Sequence, residues 1–163
     1  MRAALALFLM LCLGGCAGQG LTGIAAGVGE NVGPPRPPLV DPAEATFAFL
    51  PVPGIPVQAA DELLSRVWRR AEREGLNVVK RPGGPALFTV EGTVVAVSDD
   101  TNSLIFFSFN VLDTSGRRLH TISGQQGSEE TDGDPWSNVE DRDLDLIALR
   151  LAALLRAWLY AEA

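Results

Sequence analysis

The stretch Leu104–Gln126, LIFFSFNVLDTSGRRLHTISGQQ, decides the fold of this chain. Its first nine residues place large apolar side chains at every second position, which is the period of a β-strand with one buried face. Asp113–Gly116 has the composition of a turn, and the alternation resumes from Arg117 to Gln126. Two alternating runs joined by so short a turn predict an antiparallel hairpin.

Strand-like segments before this hairpin extend it into a sheet. Residues 86–97 alternate in the same way and are followed by the turn 98–102, so they predict another antiparallel strand, with Gly92 as a candidate bulge. Short apolar runs at 46–50 and 77–80 predict a first strand and an optional second one. The expected sheet therefore has four to five strands and is mostly antiparallel.

Two amphipathic helices are predicted to cover that sheet. Apolar residues recur at three- and four-residue steps from Val57 to Glu74, and Gly75 supplies the left-handed stop. A second apolar stripe runs from Leu144 to Leu159. This helix begins either with Asp134-Pro135 as N-cap and first residue, or with a capping box over Ser137–Glu140. The element order predicts an α+β fold with two helices packed on one face of the sheet.

The first sixteen residues predict export and lipid attachment. Arg2 precedes the apolar run 3–13, which is too short to span a bilayer. Leu13-Gly14-Gly15-Cys16 then resembles the bacterial lipobox. The resemblance implies that residues 1–15 are a signal peptide, that cleavage occurs before Cys16, and that the Cys16 sulfur carries the lipid of a palmitate-bearing lipoprotein.

The lipidated Cys and the segment after it, residues 16–45, are expected to form a flexible tether. The first half is rich in glycine, and Pro34–Pro38 adds a stiff, extended stretch. Ala17 stands where inner-membrane lipoproteins carry a retention Asp, so the resemblance favours the periplasmic face of the outer membrane over the inner membrane. Several acyl chains make such anchoring stable, so the membrane is an expected partner. Residues 46–163 are then a single domain.

Composition excludes several partners and sites. The net charge of −7 argues against nucleic acid, because phosphate binding needs a basic surface. Cys12 and Cys16 are the only cysteines, so the mature domain is expected to lack a disulfide and a thiolate metal site. The sequence also lacks a phosphate loop, a dinucleotide fingerprint and Cys/His metal spacing, so we expect no cofactor and no metal.

Few residues are candidates for catalysis. His120 is the only histidine, and it is predicted to lie on the surface beside Arg117 and Arg118. The chain has no Gly-x-Ser-x-Gly motif to supply a nucleophile. Eight carboxylates lie within 129–145, but their spacing selects neither a calcium loop nor a catalytic pair, and a solvated loop with an acidic helix start is the preferred interpretation. We predict no catalytic residue and no enzyme activity.

Trp136 and a basic segment remain as candidate contacts. Trp136 lies between a polar loop and a helix start, so it is either a lid over the core or a contact for a partner. Residues 66–81 carry six basic side chains, which either pair with acidic residues of this chain or face a partner of opposite charge.

Several segments carry a resemblance to a group of proteins. Val111–Arg118, Ile122–Gly124, Asp134–Trp136 and the closing helix with Ala157–Leu159 resemble small uncharacterised lipoproteins of the Gram-negative envelope. The element order also resembles the α/β domain of the TolB amino-terminal half and of the lipoprotein LpoB. These resemblances imply protein binding at the envelope.

The protein is therefore expected to be a lipid-anchored, non-catalytic adaptor or binding domain in the periplasm. Its expected partner is another envelope protein. Two alternatives belong to other classes. An enzyme acting on the cell wall would need two converging carboxylates, or His120 beside a serine. A small-ligand carrier would need a sizeable apolar pocket between sheet and helices.

Overall fold

The computed structural model describes residues 40–81, 84–98, 103–128 and 134–161. The predicted signal peptide, Cys16 and most of the tether lie outside these ranges. The described residues form seven elements in the order β-α-β-β-β-β-α: β1 (Thr46–Phe49), α1 (Val57–Arg73), β2 (Asn77–Val79), β3 (Phe88–Ser98), β4 (Ser103–Leu112), β5 (Arg118–Ser128) and α2 (Asp141–Leu159).

The strands form one sheet in the order β2-β1-β3-β4-β5. The long strands β3, β4 and β5 pair antiparallel, as the hairpin pattern predicts. The short strand β1 pairs parallel with both β2 and β3. The predicted α+β fold with a mostly antiparallel sheet is confirmed, and the optional second strand forms.

Both helices pack on the same face of the sheet. In β4 the side chains of Ile105, Phe107, Phe109 and Val111 are buried, whereas Phe106 points the other way and is 43% exposed. The buried residues of α1 and α2 belong to one hydrophobic cluster with this inner face. The predicted alternation in β4 and the predicted burial of the α2 stripe are therefore confirmed.

The end of α1 also follows the prediction. Gly75 has a φ of 79°, in the left-handed region that glycine tolerates. The N–H of Gly75 donates to the carbonyl of Glu72 at 3.0 Å, and the N–H of Leu76 donates to that of Ala71 at 2.9 Å. Leu76 is buried against the core. This paired bonding is the Schellman motif, in which the residue after the glycine folds back onto the helix.

Gly92 is not a bulge, contrary to the prediction. It lies in register opposite Phe109 in an unbroken β3–β4 ladder. A Cβ atom at this position would come within 2.6 Å of a carbon of the Phe109 ring. Gly92 therefore makes room for that ring, and the irregularity of the sheet lies instead between Val111 and Leu112, where β4 meets β5.

Both predicted starts of α2 are wrong, because the residues concerned form turns. The Asp134 carboxylate accepts the N–H of Trp136 at 3.0 Å, and the Asp134 carbonyl accepts the N–H and hydroxyl of Ser137. These bonds bend the chain before the helix. The helix begins at Asp141, and the Asp143 carboxylate accepts the N–H of Glu140 at 3.1 Å.

Candidate functional site

Trp136 lies at a groove between the N-terminal ends of the two helices. The turn that Asp134 closes brings the indole beside the start of α1 at Val57, 79 residues earlier in the chain. The groove has a volume of about 270 Å³. Its lining residues come from both helix starts and from the turn: Pro56, Gln58, Ala59, Glu62, Trp136, Val139, Asp141 and Leu144.

The floor of the groove is apolar and continuous with the core. Leu144 is buried, and Trp136 and Val139 are half-buried and pack against the core cluster. Trp136 thus covers an edge of the core while it lines an open groove. Trp136 can therefore act both as a lid over the core and as a contact for a partner. Its contact with a partner stays a prediction.

The rim of the groove is charged. One Nη atom of Arg66 lies 2.7 Å from Asp141 Oδ1 and 3.6 Å from Glu62 Oε2. Arg70 pairs with Asp145 next to this cluster. Basic residues of segment 66–81 therefore pair with acidic residues of the same chain, which is one of the two alternatives that the sequence left open. The Glu62 and Asp141 carboxylates at the rim thus share the Arg66 guanidinium, whose other Nη atom lies 3.8 Å from Asp145 Oδ1.

The start of α1 borders the groove and has no side-chain cap. Pro56 occupies the N-cap and supplies no side-chain hydrogen bond, and the first turn holds no acidic residue. The first N–H groups of a helix have no partner within the helix and carry a partial positive charge. The positive end of α1 and the carboxylates of Glu62 and Asp141 therefore border the same groove.

His120 is not a surface residue beside the arginines, contrary to the prediction. It lies half-buried on β5, on the same side of the strand as the buried Ile122. Its ring stacks on Trp158 of α2, with the ring centroids 5.5 Å apart and an angle of 2° between the planes. Among the described residues its Nδ1 atom has no hydrogen-bond partner. Burial lowers the pKa of His120 below its usual value.

The described carboxylates near the start of α2 have structural partners. Asp134 closes the turn, Asp143 accepts the N–H of Glu140, and Asp141 and Asp145 pair with arginines of α1. Within residues 40–81, 84–98, 103–128 and 134–161, no three His, Cys, Asp or Glu side chains lie close enough together to hold a metal ion.

A small pocket lies between the sheet and the helices. A void there, bordered by Phe49, Val67 and Leu151, holds about 10 Å³, which is close to the room that one water molecule needs. A second open groove of about 290 Å³ lies on the outer side of the sheet beside Pro51, Glu91 and Asn110. Of the described helices, none has the length and apolar character needed to cross a membrane.

No family model matches this chain. No curated protein matches it either. Solved structures do share its fold. The PelC dodecamer from Paraburkholderia phytofirmans is similar with a TM-score of 0.51 at 15% identity, over 78% of this chain and 94% of that chain. At this identity the likeness shows the fold alone.

Two further structures are more distant. The lipoprotein GNA1162 from Neisseria meningitidis has a TM-score of 0.41 at 11% identity, over 73% of this chain and 99% of that chain. A PDZ domain protein from Parabacteroides distasonis has a TM-score of 0.40 at 11% identity, and the likeness covers 32% of that chain. Neither likeness is close enough to carry a functional argument.

Sequence reasoning identified Trp136 but missed the rest of the groove. Pro56, Gln58, Ala59 and Glu62 belong to the first turns of α1 and show no motif that marks them. They border the groove only because α1 and α2 pack side by side. No signal in the sequence could have joined them to Trp136.

Proposed function

We propose that this protein is a lipid-anchored, non-catalytic adaptor that binds a segment of another envelope protein in the Trp136 groove. The observation that carries the proposal is the half-buried indole beside an open groove with an apolar floor and a charged rim. Protein-binding sites have this arrangement, in which an aromatic anchor lies at an apolar centre and polar groups surround it.

The chemistry of the rim selects the kind of segment that fits. An apolar side chain would pack on Trp136, Val139 and Leu144. In this cluster the three carboxylates of Glu62, Asp141 and Asp145 face only the two guanidiniums of Arg66 and Arg70. A basic residue next to that apolar side chain would therefore complement Glu62 and Asp141. We therefore propose a segment with one large apolar residue flanked by Lys or Arg.

The proposed location rests on the N-terminal sequence. The lipobox resemblance at Leu13–Cys16 supports an anchor in the membrane, and Ala17 supports the periplasmic face of the outer membrane. The segment between Cys16 and the domain would let the groove reach partners away from the bilayer.

Site-specific photo-crosslinking tests the groove. A photoreactive residue at the exposed position Gln58 should capture one envelope protein reproducibly in living cells. Ala59→Leu fills the groove and should reduce that capture at least fivefold. Ala43→Leu makes the same change at an exposed turn outside the groove and should leave the capture unchanged.

Each variant must retain a cooperative thermal transition, so that lost capture is not lost folding. Trp136→Ala should act like Ala59→Leu, because it removes the aromatic anchor. Equal capture by the Ala59 and Ala43 variants would contradict binding in this groove. Repeated capture of no specific protein at Gln58 would contradict the adaptor function.

A further inference from the structure

Helix α2 has a second apolar stripe, on the side turned away from the sheet. Leu146, Leu149 and Leu154 are 40%, 38% and 42% exposed, and Tyr160 directly after the helix is 53% exposed. The alanines at 153 and 157 are exposed as well. At about 100° per residue, Leu146, Leu149, Ala153, Ala157 and Tyr160 share one sector of the helix surface, and Leu154 lies at its flank. Isolated exposed apolar residues are ordinary, but an aligned stripe of them indicates a contact surface.

The stripe is complementary to itself about Ala153. Leu149 stands four residues before Ala153, and Ala157 stands four residues after it. Leu146 and Tyr160 stand seven residues before and after. In an antiparallel pair of these helices centred on Ala153, Leu149 of each copy would face the small Ala157 of the other.

We propose that two copies of this chain associate through this stripe, with their α2 helices antiparallel and Ala153 on the two-fold axis. Small residues at the centre allow helix axes to approach to roughly 8 Å. A two-fold contact needs a surface that fits its own copy. Next to the axis Leu149 would face the small Ala157, and Leu146 would face Tyr160 farther out, where the helices can diverge. The antiparallel arrangement also brings opposite ends of the helix dipoles together.

The two arginines beside the stripe, Arg150 and Arg156, make contacts within their own chain. Arg150 donates to the Gln125 carbonyl at 3.0 Å, and its guanidinium lies over the Phe107 ring, 5.9 Å from the centroid. Arg156 lies 4.0 Å from Glu74, with its guanidinium over Tyr160. About an axis at Ala153, Arg150 of one copy would lie opposite Arg156 of the other. The contacts of both guanidiniums within their own chain reduce the repulsion between them and leave the centre of the stripe mainly apolar.

This arrangement favours a second copy over a membrane surface. A helix that lies on lipid uses basic side chains extended toward the headgroups, whereas these two arginines fold back onto their own domain. One helix face is smaller than the roughly 800 Å² per partner of a standard interface, so we expect weak pairing. Confinement of the copies on one membrane would raise their effective concentration and favour the pair.

Cysteine crosslinking tests the pair and its register. In full-length chains in their membranes, Ala153→Cys places two thiols at the axis. With helix axes roughly 8–10 Å apart, facing Cα atoms lie about 4–5 Å apart, within reach of a disulfide. A mild oxidant should therefore convert A153C to a dimer at least fivefold more than A157C.

The A157C variant is the matched control, because the same substitution lies on the same exposed face about 6 Å from the axis along the helix. The unsubstituted chain sets the background from its own cysteines. Co-produced L149C and A157C chains should crosslink to each other more than either does alone. If A153C forms no more dimer than A157C while both chains stay folded, the proposed pair is wrong.

Discussion

At the scale of single residues, contacts with a neighbouring strand or helix determine the roles of Gly92 and His120, which the sequence pattern did not predict correctly. Gly92 is small because the Phe109 ring occupies the space where its Cβ would lie. His120 is half-buried because Trp158 offers its ring face to the imidazole. Each of these partners is at least 17 residues away in the sequence, so the local pattern could not identify it.

The half-buried imidazole of His120 predicts a dependence of stability on pH. Burial lowers the pKa of His120 in the folded state, so at mildly acidic pH the unfolded chain binds the proton more readily. The free energy of unfolding should therefore fall as the pH drops below about 7, through the usual histidine pKa of about 6.5. His120→Phe keeps an aromatic ring on Trp158 and removes the titration.

Urea unfolding of both chains between pH 7.5 and pH 5.5 measures this effect. Because His120 is the only histidine, the difference between the two pH profiles isolates it from the carboxylates. The wild-type chain should lose more stability on acidification than the His120→Phe chain. Parallel profiles would show that His120 titrates alike in the folded and unfolded states.

At the scale of elements, α2 is both the main cover of the core and an outward surface. Its buried residues include Leu144, Ile147, Leu151, Leu155 and Trp158. Trp158 also packs edge-on against Phe88 of β3, with ring centroids 5.5 Å apart. The helix therefore closes the inner face of the sheet along most of its length.

Deletion of residues 144–163 should unfold the domain. Truncation of a buried Leu or Trp costs roughly 2–5 kcal/mol, and a domain of this size has a total stability of about 5–15 kcal/mol. The truncated chain should therefore lose its cooperative thermal transition. A chain that lacks only residues 162 and 163 is the control and should melt like the full chain. A cooperative transition near the wild-type temperature after the long deletion would mean that α2 is not part of the core.

At the scale of the whole molecule, tertiary contacts pair part of the acidic charge with arginines of the same chain. The chain has a net charge of −7, yet Arg66 and Arg70 of α1 lie against Asp141 and Asp145 of α2. These pairs link the two helices beside the Trp136 groove. The acidic start of α2 is thereby partly neutralised within the fold, and it is not a uniformly negative surface.

The predicted lipid anchor at Cys16 can be tested directly. Cys16→Ser should abolish labelling by radioactive palmitate and leave the precursor uncut, because only a thiol at this position can form the thioether. Cys12→Ser is the matched control and should leave labelling intact, because the predicted cleavage removes Cys12. Equal labelling of the wild type and the Cys16→Ser chain would contradict the lipoprotein prediction.

The sequence alone determined the strands, the helices and their buried faces. Periods of two and of three to four residues are local properties, since backbone geometry sets which neighbours share a face. This is why the alternation in Leu104–Leu112, the stripe of α2 and the stop at Gly75 could be predicted. The same local reasoning identified Trp136 as an aromatic residue without a place on either stripe.

Tertiary structure decided the rest, because it depends on which distant segments meet. Packing of the two helices joined Trp136 to the first turns of α1 and formed the groove. The sheet order placed β1 between β2 and β3 in parallel pairs, and the turn closed by Asp134 delayed the start of α2 to Asp141. Such contacts depend on hydrogen bonds and burial between residues far apart in the chain. The local periodicity of the sequence therefore cannot predict them.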